Sequence, residues 1–152
     1  MKLIDVLRKE AVILGLKATD KKGVLEELTV PVAAISKIEH SQLVRMLMER
    51  ERLGTTGIGG GIAIPHGKLQ NLPAEILCMG ISQKGVSFEA MDGKPVHIFF
   101  LLFTPEGATD LHLMLLSRIS KLLKNDIFKQ RLQDAPSADA ICDIVEEFDE
   151  AN

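Results

Sequence analysis

Val96-His97-Ile98-Phe99-Phe100-Leu101-Leu102-Phe103 is the most apolar run of the chain. It is bounded by the turn-forming Met91-Asp92-Gly93-Lys94-Pro95 before it and Thr104-Pro105-Glu106-Gly107 after it. A run this short, aromatic and apolar almost throughout predicts a central strand covered on both faces. Upstream, Glu75 to Gln83 carries Ile76, Leu77, Cys78, Met79 and Ile81 and predicts a second buried strand, with a turn at Lys84-Gly85. Downstream, Thr109 or Asp110 opens a helix whose apolar stripe reads Leu113, Leu116, Ile119, Leu122 and Leu123. Asn125 to Leu132 follows as a short helix. Ser137 caps the last one, with Ile141, Ile144, Val145 and Phe148 facing inward.

Towards the N-terminus the signals are weaker. Residues 3 to 9 fit a short helix, and Val12 to Leu16 a short strand. Asp20 can cap a helix beginning at Lys21, with Val24, Leu25 and Leu28 at helical spacing. Pro31 either ends that helix near Thr29 or kinks it before it continues through Ala33 and Ala34. Glu39 to Arg52 predicts a further helix that places Leu43, Met46, Leu47 and Arg50 on adjoining positions. Its mixed charges Glu49 to Arg52 read as a solvated end, and Gly54 as the C-cap. Strands and helices interleave without repeat, linker or low-complexity tract. The expected class is α/β: one domain over 1–152, a mixed, mostly parallel sheet with helices packed on its faces.

Composition excludes several classes of function. The 152 residues suffice for a core without disulfides or metals, and apolar (46%) and charged (26%) fractions are those of a soluble globular protein. A net charge of −3 offers no basic face for nucleic acid. Cys78 and Cys142 show no CxxC spacing and read as reduced thiols. No HxxH or HxxxH pair suggests a metal, so neither metal nor cofactor is expected. Met1-Lys2-Leu3-Ile4-Asp5 lacks the apolar core of a leader, and no run is long enough to span a bilayer. A cytoplasmic protein is expected.

Chemistry concentrates in Gly54-Thr55-Thr56-Gly57-Ile58-Gly59-Gly60-Gly61-Ile62-Ala63-Ile64-Pro65-His66-Gly67, where five of the twelve glycines precede the histidine. Glycines let the backbone take positive φ and let an anion approach peptide N–H groups. Pro65 fixes its own φ and biases Ile64 towards extended geometry, leaving His66 at a rigid corner. A Walker A loop is excluded because Gly61 to Gly67 encloses five residues and Lys68 precedes Leu69; GxGxxG fails because Ile62 stands at its third glycine. A neutral imidazole can attack phosphorus, so His66 is the candidate nucleophile for a phosphoryl group. Arg50 offers a planar fork for phosphate oxygens, or is a surface partner of Glu49; Arg52 is assigned to solvent. Thr56 can lend its hydroxyl to phosphate or bond within the loop. His40 and His97 read as structural, and no GxSxG elbow supports a serine hydrolase.

Arg50-Glu51-Arg52-Leu53-Gly54-Thr55-Thr56-Gly57-Ile58-Gly59 followed by Gly61-Ile62-Ala63-Ile64-Pro65-His66-Gly67 resembles the active-site signature of the fructose/mannitol-type IIA proteins of the bacterial phosphotransferase system. The resemblance covers most of the chain, and within that family it looks most like the nitrogen-regulatory branch. It implies phosphorylation at Nε2 of His66 and a phosphate-binding role for Arg50. His112-Leu113-Met114-Leu115-Leu116 is similar to the segment carrying the family's second active-site histidine, which implies that His112 hydrogen-bonds phosphate. The implied donor is HPr or its nitrogen-branch relative, docking on an apolar rim of Ile58, Ile62, Ile64 and Leu69. The implied output is regulation, or transfer to a sugar-specific IIB domain. A non-enzymatic module binding an anionic metabolite is the reading from another class. The family usually has Asn where this chain has Gly60.

Overall fold

The computed structural model describes residues 1–151. Its one sheet runs in the order β1-β5-β6-β3-β2, with β4 also paired to β6. The strands are β1 Leu7–Leu14, β2 Gly57–Gly59, β3 Ile62–Ala63, β4 His66–Leu69, β5 Ile76–Val86 and β6 Val96–Pro105. Pairings β1·β5, β3·β6 and β4·β6 are parallel, whereas β5·β6 and β2·β3 are antiparallel. The apolar run Val96–Phe103 is thus the centre of the molecule. It pairs with β5 along one side and, in succession, with β3 and β4 along the other.

Because side chains alternate along a strand, β6 feeds two cores at once. Ile98, Phe100 and Leu102 join one cluster with Leu115, Ile119, Phe128, Ile141 and Val145. Phe99, Leu101 and Phe103 join the other, with Leu25, Leu28, Leu43 and Leu47. The first is roofed by α3 Thr109–Leu122, α4 Asp126–Asp134 and α5 Ala138–Glu150; the second by α1 Lys21–Ser36 and α2 His40–Arg52. The result is a three-layer α/β/α domain.

The expected caps are present, with Asp20 accepting from the Gly23 amide and Ser137 from that of Ala140; Asn125, read as the first residue of its helix, instead caps α4 by accepting from Ile127 and Phe128. Pro31 lies inside α1, which continues to Ser36.

Four sequence expectations are revised. Only Leu3–Asp5 is helical near the N-terminus, as a 3-10 turn, and the strand expected from Val12 starts at Leu7. Its exposed Arg8, Lys9 and Glu10 are tolerable because β1 is an edge strand, where charge blocks further pairing. Lys68 to Pro73 is not merely a polar connection, since Lys68 and Leu69 belong to β4. In α3 the buried stripe is His112, Leu115, Ile119 and Leu122, while Leu113 is 59% exposed. His112-Leu113-Met114-Leu115-Leu116 is too apolar all round for hydrophobicity to set its phase. Finally, the charged end of α2 is not wholly solvated: Glu51 is buried.

Candidate functional site

The site forms where β4 begins beside the C-terminal half of β6. His66 pairs with Leu102 and Lys68 with Thr104. In-register neighbours share a face, so all four side chains are directed to the side of the sheet that α3 covers. Lys68 Nζ accordingly reaches Thr109 Oγ1 at the start of α3, at 2.9 Å. Gly67 faces the other way, towards Met46 of α2. An open depression of about 600 Å³ lies between the two helices, lined by Met46, Glu49, Arg50, Leu53, His66, Gly67, Lys68 and His112.

The half-buried His66 ring is held by Nδ1, which donates to the Ile64 carbonyl at 2.7 Å. A carbonyl can only accept, so Nδ1 carries the proton and the neutral ring keeps its lone pair on Nε2. Burial lowers the His66 pKa; the Ile64 bond works against this, and the Arg50 charge adds to the lowering. Arg50 is half-buried, and its Nη1 donates to the Gly54 carbonyl at 2.8 Å, which ties it to the end of α2. His112 is buried, with ring centroid 5.4 Å from that of His66 and planes tilted by 58°. Its Nδ1 meets Thr104 Oγ1 at 2.7 Å. Burial, then the charges of His66 and Lys68, push its pKa down to about 4. The depression therefore combines two neutral imidazoles with two cations, an arrangement that can hold a phosphate-like anion beside a nucleophilic nitrogen.

Of the residues singled out in the sequence, His66, Arg50 and His112 meet in this depression. Thr56 does not line it. Its hydroxyl makes a short bond to Glu51 Oε2 and its amide donates to Glu51 Oε1 at 3.0 Å. Glu51 also pairs with Lys21 Nζ at 3.2 Å. Thr56 passes this anchorage on, because its carbonyl accepts the Ile64 amide at 3.0 Å. A chain of contacts thus leads from α1 and the end of α2 to the carbonyl that orients His66. Lys21, Glu51, Lys68 and Thr104 were missed. For Glu51 a signal existed: Leu43, Leu47 and Glu51 recur every four residues, so the carboxylate continues a buried stripe. His40 and His97 each bond a backbone carbonyl at 2.8 Å, that of Glu26 and that of Ser82 respectively.

The apolar rim differs from expectation. Ile62, Ile64 and Leu69 are buried, because the strand pairing that positions His66 also draws them into the cores. Of the expected rim only Ile58, on the hairpin, is exposed; the exposed apolar residues nearer the depression are Leu53, on its edge and 86% exposed, and Leu113 and Met114, which follow His112 in α3.

That hairpin, β2 to β3, turns through Gly60-Gly61 with φ of 68° and 80°. Gly59 before them is also positive, at 95°, and positive φ at both central residues of a two-residue hairpin loop is the setting in which Asn-Gly is a preferred pair. A side chain at Gly60 would meet only Lys129 Nζ, at 3.5 Å from its Cβ. Glycine here neither distorts the loop nor removes a needed bond. Gly60→Asn is expected to leave stability within about 0.5 kcal/mol of the parent by urea unfolding. A loss above about 1 kcal/mol would show that the position needs glycine. Gly57 is different: its missing Cβ would lie 2.9 Å from the Ala90 backbone, so the close approach of the two segments depends on it.

The fold and the paired histidines define a single three-layer α/β domain with an anion-suited depression at the end of its central strand. Residues 5–148 match the family model described as "Phosphoenolpyruvate-dependent sugar phosphotransferase system, EIIA 2", and the chain belongs to that family. It is 37% identical over 145 residues to the nitrogen regulatory protein of Bradyrhizobium diazoefficiens, covering 95% of both chains. It is 35% identical over 150 residues to the fructose-specific EIIABC component of Bacillus subtilis, covering 98% of this chain but only 24% of that longer protein. The crystal structure of the nitrogen regulatory protein IIA-Ntr from Neisseria meningitidis superposes with a TM-score of 0.89 at 31% identity, over 94% of this chain and 98% of that one. Among the described residues no helix is long and apolar enough to cross a membrane, and no cluster of side chains could hold a metal ion.

Proposed function

We propose that this protein is a phosphocarrier that accepts a phosphoryl group on Nε2 of His66 from phosphohistidine on an HPr-type carrier. The observation that carries this reading is the commitment of His66 Nδ1 to the Ile64 carbonyl, which leaves Nε2 as the nucleophile beside Arg50. As the N–P bond to Nε2 forms, the carrier's N–P bond breaks and its electron pair returns to the carrier's imidazole. The carrier ring, protonated on its other nitrogen, leaves neutral; the His66 ring takes over the positive charge, with its Nδ1–H still donated to the Ile64 carbonyl. No further reagent is needed. Arg50 supplies charge to the equatorial oxygens, and His112 and Lys68 complete the wall.

A regulatory role in the nitrogen branch is supported by the 37% identity to one protein named nitrogen regulatory and the TM-score of 0.89 with another. Phosphate on His66 would place about two negative charges in a depression flanked by exposed Leu53, reversing complementarity towards a bound target protein. Passing the group to a fructose- or mannitol-type IIB domain is the sugar-specific form of the same chemistry.

The test is phosphorylation of the purified protein with phosphoenolpyruvate, Enzyme I and HPr-type carriers, read by intact mass. An acid-labile adduct is expected on the parent and none on His66→Ala. An equal adduct on both would assign the phosphate elsewhere. A folded parent that takes none from any carrier would leave the depression as a site that binds anions.

A further inference from the structure

We propose that Thr104 is a positioning residue for phosphoryl transfer: it fixes His112 as the tautomer with its proton on Nε2, opposite to that of His66. This inference rests on the phosphocarrier reading for its consequence, though the tautomer is a property of the unphosphorylated protein.

Thr104 is fully buried in β6, in register with Lys68 and under the first turns of α3. Its Oγ1 lies 2.7 Å from His112 Nδ1, and no other hydrogen bond of that hydroxyl is found among the described residues. One partner must therefore satisfy it. A buried O–H that donates to nothing carries a desolvation cost of about 1–3 kcal/mol, whereas a hydroxyl oxygen with spare lone pairs costs far less. The favourable arrangement has Thr104 donating and Nδ1 accepting. Nδ1 then carries no proton, and the neutral ring must hold its proton on Nε2. The cationic form would place a second proton between Oγ1 and Nδ1 and leave the hydroxyl proton without an acceptor. Burial and the neighbouring Lys68 oppose that form as well.

The two imidazoles, 5.4 Å apart, thus receive opposite assignments from opposite neighbours. A backbone carbonyl, which only accepts, puts the proton of His66 on Nδ1 and frees Nε2 to attack. A hydroxyl, which here donates, clears Nδ1 of His112 and leaves Nε2–H as a donor at the wall of the same depression. Two rings in the same tautomer would give either two bases beside one anion or two donors and no nucleophile. Thr104 touches neither His66 nor the transferred group in this scheme; it acts through His112.

The experiment uses ¹⁵N-histidine-labelled full chain. Long-range ¹H–¹⁵N spectra read the tautomer of each histidine, and carrier-dependent uptake is timed in parallel. His112 of the parent is expected as Nε2–H and His66 as Nδ1–H. Thr104→Val keeps the β-branched shape and removes the hydroxyl. It is expected to abolish the Nε2–H preference of His112, leave the His66 pattern unchanged, and slow uptake by about 10- to 100-fold, by analogy with the loss seen when the hydrogen-bond partner that orients a metal-binding histidine is removed. Thr104→Ser keeps the hydroxyl and is expected to restore both readouts. Nδ1–H on His112 of the parent would overturn the proposal whatever the variants do. So would a Thr104→Val protein with parental tautomer and rate, or a Thr104→Ser protein as slow as the valine variant. A parent with the expected tautomers that takes no phosphate would instead overturn the role in transfer together with the carrier reading.

Discussion

Replacing Glu51 by alanine is expected to lower stability by about 3 kcal/mol, at the lower end for breaking a buried ion pair from one side. Its carboxylate holds the Thr56 amide and hydroxyl and faces Lys21 Nζ. The Lys21 side chain is itself only 11% exposed, with Phe88 beneath its ammonium group at 4.9 Å. Truncating Glu51 therefore leaves the two buried Thr56 donors without their acceptor and leaves the largely covered Lys21 only the weaker pairing with the mostly solvated Glu89, 3.9 Å away. For a chain of this length the thermal midpoint should fall by about 6–12 °C. Function should suffer beyond stability, because the Thr56 carbonyl holds Ile64, whose carbonyl orients His66. Uptake of phosphate at a temperature where the variant is fully folded should be slowed, and Glu51→Gln, which keeps one acceptor, should fall between. A Glu51→Ala protein melting within 2 °C of the parent would refute the anchoring role.

This dependence also shows where sequence reasoning reached and where it stopped. The central strand was legible because Val96 to Phe103 is apolar on both faces, and both of its faces are covered. The glycine-rich loop and His66 were legible because special backbone geometry leaves a residue signature. The edge strand β1 was hidden by Arg8, Lys9 and Glu10, whose charges are allowed only because one side of the strand has no partner. That is a fact of topology which local pattern does not carry. The phase of α3 was hidden because His112 takes a core position while Leu113 and Met114 face out. Thr56 reads in the sequence either as a phosphate contact or as a loop-internal bond; its partner in the structure, Glu51, lies in the charged run that reads as a solvated helix end. Thr104 reads in the sequence only as a strand terminator, because its pairing with Lys68 is invisible where Lys68 reads as a connection. In each case the missing fact is which strand lies beside which.

Acid should destabilise the protein well before its carboxylates titrate. An unfolded histidine titrates near pH 6.5, whereas folded His112 does so at about 4. Between those values the unfolded chain binds a proton that the folded chain refuses, so stability is full above pH 6.5 and falls as pH drops towards 4. His66, also lowered, acts in the same direction. Counting about 1.4 kcal/mol per unit and discounting for solvent at the depression, the loss attributable to His112 is roughly 2 kcal/mol, or about 4–8 °C in the thermal midpoint. Glu10, held low by a backbone bond and by Arg8, and Asp92, held low by the Lys94 and Gly60 amides, begin to lose their contributions only below about pH 4.5. The window from pH 6.5 to 5 should therefore report the histidines. Thermal melts at pH 7.5, 6 and 5 are expected to show a progressive fall in the parent and a shallower one in His112→Gln, which has no proton to gain. Equal slopes for the two proteins would mean that His112 is not held neutral by the fold. The same lowering keeps more of the His66 lone pair available in mild acid than an unperturbed imidazole would offer, so the midpoint of any loss of phosphoryl uptake on acidification should lie below about pH 6.5. A rate already halved at pH 6.5 would place the His66 pKa at the unperturbed value and remove burial as its cause.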